Sequence, residues 1–224
     1  MGYYVDLKGI GIDAYKDILS KTELIPSWKI LGEDIDKNLN AVKKQGVSNL
    51  DELLAALKDK SKIKDFSDQS GLSIKYLEVL NRVVKGYKQK PNRIQDFTCI
   101  SKKVVNRLEK VGIKNTLKLF DKVKTEKDRS ECATETGIDK LDILLLARLT
   151  DLSRIRWVNH TFAFVLLESG YDSVKKVASA NYKSLYADVK KLNDAKKIYN
   201  ANIGEHDMKM VIESAQMLSI EVEF

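Results

Sequence analysis

The stretch RLEKVGIKNTLKLF, residues 107–120, decides the fold, because VLLESGYDSVKKVA, residues 165–178, overlays it position for position. Leu166 takes the place of Leu108, Gly170 of Gly112, Tyr171 of Ile113, Val174 of Thr116 and Val177 of Leu119. In each, apolar residues three and four apart run into a glycine, as in a helix closed by a residue free to take positive φ. An apolar or aromatic plug follows, and a second helix begins within about three residues, with Asn115 and either Asp172 or Ser173 as N-caps.

The same grammar lies upstream at one constant offset. Gly46 and Gly71 stand 66 residues before Gly112 and Gly137. Leu39, Val42, Val47, Asn49, Leu53, Leu77 and Leu80 are matched by Val105, Leu108, Ile113, Asn115, Leu119, Ile143 and Leu146. A helix pair joined by so short a turn cannot bury its apolar face alone, so tandem copies stack. The expected fold is all-α, with copies over 1–90, 91–155 and 156–224. Two prolines and eleven glycines in 224 residues favour helices over turn-rich β architecture. The exception is Ser219–Phe224, whose alternation of Ile220, Val222 and Phe224 with Glu221 and Glu223 reads as a short strand. It is expected to pair with Tyr3-Tyr4-Val5 in a terminal β-ribbon, or else to hang free.

Composition narrows the function classes. The opening MGYYVDLKGIG lacks the basic and apolar runs of a signal peptide, and apolar stretches such as Ile143–Ala147 are too short to span a bilayer. Cys99 and Cys132 form no paired motif and read as reduced cysteines of a cytoplasmic protein. Two Cys and two distant His build no zinc site, and no phosphate-loop or dinucleotide motif is present, so no metal, cofactor or catalytic set is expected. His160 and His206 read as helix-end residues, and Trp28 and Trp157 as core anchors. LDILLLARL, after Gly137, is too apolar for a base-reading helix and reads as core.

The net charge is +7, and its placement is uneven. Between Arg82 and Lys124 thirteen basic residues face only Asp96, Glu109 and Asp121, so all the excess positive charge lies mid-chain. Such a block is a footprint for a polyanion, or a solvated lysine-rich surface.

Residues 149–218, from LTDLSRIRW through LLESGYDSVKKVA to the closing IESAQML, resemble the domain of unknown function numbered 4332. The resemblance implies a degenerate helix-hairpin-helix array, similar in style to DNA-repair and polymerase modules. Hairpins of that type bring backbone N–H groups against phosphate oxygens, which binds nucleic acid with little regard for sequence. Leu7-Lys8-Gly9-Ile10-Gly11-Ile12 keeps the paired glycines, making Gly9 and Gly11 candidates. Phe97–Ser101 and Ile155–Asn159 lack them, although Lys102 and Lys103 directly follow the former.

Two functional readings stay open at this level. One is non-enzymatic, sequence-independent binding of duplex DNA or another nucleic acid. Its expected contacts are Arg82, Lys85, Lys88, Lys102, Lys103, Arg107, Lys110 and Lys114, with Gly9 and Gly11. The other is a helical protein–protein interaction scaffold with no nucleic-acid role.

Overall fold

The structure is a computed structural model and describes residues 2–224. It divides into two compact units, Asp6–Lys88 and Gln89–Phe224, the latter joined by the residues up to Val5. Both are helical, and among the described residues no β-strand forms.

The first unit holds α1 (Ile12–Lys21), a 3₁₀ turn (Pro26–Gly32), α2 (Ile35–Lys44), α3 (Leu50–Ala56), α4 (Lys60–Ser70) and α5 (Ile74–Lys85). α5 packs against α3 and α4, and α1 against α2. The second unit holds a short 3₁₀ turn (Ile94–Asp96), α6 (Lys102–Lys110), α7 (Thr116–Phe120), α8 (Glu126–Thr136) and α9 (Lys140–Leu152). It continues with α10 (His160–Glu168), α11 (Val174–Ala178), α12 (Tyr182–Lys196) and α13 (Glu205–Gln216). α9 is the central helix of this unit, touching α7, α8 and α10, while α13 packs on α11 and α12. Ile143, Leu146, Ala147, Leu149 and Leu152 of α9 are fully enclosed, and each buried Leu or Ile contributes on the order of 1.5–3 kcal/mol.

The glycine bends share a local form. Gly46, Gly112 and Gly170 have φ of +80°, +80° and +92°. The N–H of Gly112 reaches the Glu109 carbonyl at 3.0 Å and that of Ile113 reaches Leu108 at 2.9 Å. Gly170 and Tyr171 repeat this with Leu167 and Leu166 at 3.0 and 2.9 Å. These paired bonds satisfy carbonyls that a helix end leaves orphaned. The helix after each bend starts on a side-chain cap: Asn49 accepts from Asp51 and Glu52, Asn115 from Lys118, and Ser173 from Lys176. Gly71 and Gly137 also sit at positive φ, and Ser73 and Asp139 cap the helices that follow them. Side chains related by the 66-residue offset are buried alike: Val42 with Leu108, Leu53 with Leu119, Leu77 with Ile143 and Leu80 with Leu146.

A backbone bridge braces two of the bends. Ile12 N–H donates to Ser48 and Leu50 N–H to Ile10, at 3.1 and 3.0 Å. In the second unit Ile94 N–H donates to Lys114 and Thr116 N–H to Asn92, at 3.0 and 2.9 Å. Gly11 therefore faces Asn49 as Arg93 faces Asn115.

The terminal ribbon expected for Ser219–Phe224 gives way to side-chain packing. Val222 is buried with Tyr3 and Phe120, and the Glu223 N–H donates to the Lys124 carbonyl at 2.8 Å. A buried arginine takes the carbonyls that a ladder would have used. Arg154 donates to Ser219 at 2.8 Å and to Tyr3 at 3.2 Å.

Candidate nucleic-acid interface

The ten candidate residues fall in both units. Gly9, Gly11, Arg82, Lys85 and Lys88 belong to the first unit, and Lys102, Lys103, Arg107, Lys110 and Lys114 to the second. Within the first unit two of the hairpin N–H groups are engaged locally. The N–H groups of Lys8 and Gly9 both donate to the Asp6 carboxylate, at 3.2 and 3.3 Å. Gly11 lies in the bridge to Asn49. Arg82 donates to the Ser27 carbonyl at 3.3 Å, and Lys88 pairs with Asp51 at 2.7 Å, which holds the Asp51 carboxyl below its usual range. Lys85 is exposed and has no ion-pair partner among the described residues.

In the second unit the candidates gather on one local structure, α6 and the glycine bend that follows it, and Lys118 of α7, not among the candidates, comes directly after. α6 exists because Val104, Val105 and Leu108 bury one stripe while Lys102, Lys103, Asn106 and Lys110 face water. The Ser101 hydroxyl caps its start by accepting from Val104 N–H at 3.3 Å. Lys102, Lys103, Lys110, Lys114 and Lys118 are all exposed, and none has an ion-pair partner among the described residues. The sole carboxylate from residue 98 to residue 120 is Glu109. Neighbouring cations are neutralised differently: Lys122 by Glu135, Lys124 by Asp121 and Arg93 by Asp96. Arg107 has a structural task, donating to the Gly137 carbonyl at the end of α8. An open cleft of about 490 Å³ beside it carries Lys103 and Arg107 but also Asp139 and Asp142, so it is of mixed charge.

The two tryptophans part company. Trp28 is buried, as a core anchor should be. Trp157 is 42% exposed, and its backbone has φ +68°, a region that bulky residues rarely enter. No local signal could have marked it, since nothing in Ile155–Asn159 is a turn-forming glycine.

Cys99 and Cys132 are free thiols, both with pKa pushed up by burial. Among the described residues no group of three or more His, Cys, Asp or Glu could hold a metal ion, and no helix is long and apolar enough to cross a membrane.

No curated protein and no solved structure matches the chain. The family model described as Domain of unknown function (DUF4332) matches residues 98–218, starting well upstream of the segment whose sequence resembles it. That match takes in α6 with its lysines, the glycine bends at 112 and 170, and all of α13. Covering more than half of the 224 residues, it makes the chain a member of the DUF4332 family.

Proposed function

We propose that this chain is a non-enzymatic protein that binds nucleic acid through its phosphates, without regard to sequence. In this reading it is built of three tandem helix-hairpin-helix-like repeats, over 1–90, 91–155 and 156–224, and works in the cytoplasm. The observation that carries it is the group of five exposed lysines, Lys102, Lys103, Lys110, Lys114 and Lys118, lacking ion-pair partners around one glycine bend. Exposed like charges repel one another, and a polyanion relieves that repulsion while releasing its own counterions. The α6 N-terminus, next to Lys102 and Lys103, adds a positive dipole end. Free cysteines fit a reducing compartment.

Titration of a fluorescent DNA duplex at rising salt tests this. With four or five phosphate contacts, affinity falls on the order of hundredfold between about 50 and about 200 mM salt. The double charge reversal K102E/K103E lowers it further at every salt concentration. No binding at low salt, or an unchanged affinity in K102E/K103E, overturns the reading.

A further inference from the structure

Trp157 stands in a backbone conformation that a glycine would take without strain, and it is held there from several sides. Its N–H donates to Gln89 Oε1 at 2.6 Å. The amide nitrogen of the same Gln89 donates to the carbonyls of Val158 at 2.8 Å and Ser153 at 3.2 Å, so one side chain fixes the backbone on either side of the indole. Next to it the Arg156 N–H is anchored on the Ser214 hydroxyl at 3.0 Å. The Arg156 guanidinium, itself buried, lies 4.4 Å from the indole ring centre. A strained aromatic that its surroundings over-determine is a feature of binding sites, because a purely structural turn would use glycine.

The indole borders an open cleft of about 460 Å³ that includes Lys90, Pro91, Asn92, Arg93, Asp96 and Asn159. Arg93 and Asp96 neutralise each other through a two-pronged pair at 3.0 and 3.1 Å. Lys90 is exposed and without an ion-pair partner among the described residues, so the cleft has one uncompensated positive charge beside one exposed ring.

We infer that the Trp157 cleft takes an unpaired base of a single-stranded nucleic acid, stacked on the indole, with the adjoining phosphate near Lys90. The arrangement matches what such ligands need: a flat π-face for a base of any identity, and a cation at backbone distance. Arg156 behind the ring adds a cation–π layer, which orders the indole before the base arrives. A duplex keeps its bases stacked internally and offers this cleft nothing. The inference rests on the nucleic-acid reading above and adds a ligand class and a second contact region to it.

The chain contains two tryptophans, so the W28F variant leaves Trp157 as the only one and its fluorescence reports on the cleft. Adding a short oligothymidine strand at low salt to W28F quenches that emission, and duplex DNA of equal length quenches it far less. Trp157→Gly relieves the positive-φ strain and keeps its urea midpoint at or above the parent value. It nevertheless loses about tenfold or more in affinity for the single strand, while its duplex affinity stays put. Absence of quenching in W28F, or a W157G variant that binds the strand as tightly as the parent, overturns the inference. So does thymidine monophosphate binding as tightly as the strand, since the cleft would then be a free-nucleotide pocket. If duplex binding survives these failures, the broader reading stands without the cleft; if neither nucleic acid binds, both fall together.

Discussion

The Arg154 guanidinium meets the Asp151 carboxylate at 2.7 Å with both side chains almost wholly withdrawn from water. The second Asp151 oxygen accepts from the Val174 N–H at 2.8 Å, fixing the start of α11 on the end of α9. The remaining Arg154 donors go to the carbonyls of Gly2, Tyr3 and Ser219, and its plane lies 4.8 Å from the Phe120 ring centre. Arg154→Met strands a buried carboxylate and several carbonyls. It is expected to destabilise the chain by about 3–5 kcal/mol, read from a urea or guanidinium midpoint. Arg154→Lys should recover little of this, because one ammonium cannot reproduce the fork.

Gly112→Ala tests the bend itself. At φ +80° with no heavy atom within 4 Å of an added Cβ, the substitution meets no steric obstacle other than its own backbone. The expected loss is about 1–2 kcal/mol, and Gly112→Asn should lose less, since asparagine tolerates this conformation. Thermal melts of the pair measure the difference.

Asn115→Ala removes the cap of α7, the Asn115 side-chain Oδ1 that accepts from Lys118 N–H at 2.9 Å. A cost of about 1 kcal/mol is expected, with Asn49→Ala behaving alike at the corresponding bend of the first unit. Equal denaturation midpoints for parent and variants would count against capping as the reason these helices start where they do.

Acid should weaken the fold in a defined direction. Asp13, Asp51, Asp96 and Asp128 are held below the ordinary carboxylate range by Lys43, Lys88, Arg93 and Thr125 respectively. With depressed pKa in the folded state, the unfolded chain takes up protons first as pH falls. The stability these groups contribute is complete above about pH 4 and disappears as pH drops through their folded values. Asp151 runs the other way, since burial pushes its carboxyl up against the pull of Arg154. Urea midpoints of the parent and Asp128→Asn, compared between neutral and strongly acid pH, should converge as the medium becomes acid.

What the sequence made legible was local. Gly46, Gly112 and Gly170 announce their bends because positive φ is a property of a few residues, and Asn115, Ser173, Ser73 and Asp139 announce helix starts because a cap reaches only two or three residues along the chain. The all-helical class follows from the same periodicity. The illegible parts depend on distant partners. Trp157 owes its conformation to Gln89, 68 residues earlier, and the C-terminal segment owes its placement to Arg154 and Lys124. The basic residues from Lys102 to Lys124 are visible as charge, but which of them are engaged was decided by where Glu135, Asp121 and Gly137 came to lie, beside Lys122, Lys124 and Arg107.

The clasp of Arg154 on Gly2, Tyr3 and Ser219 also bears on the order in which the polypeptide can assemble. In sequence, Asp6–Lys88 is an insert between the leading residues and the remainder of the unit they complete. On a ribosome, which releases the chain from its beginning, the insert has all its parts early and can condense first. Tyr3 meanwhile waits for Phe120, Arg154 and Val222, so the larger unit closes only after Val222 has emerged.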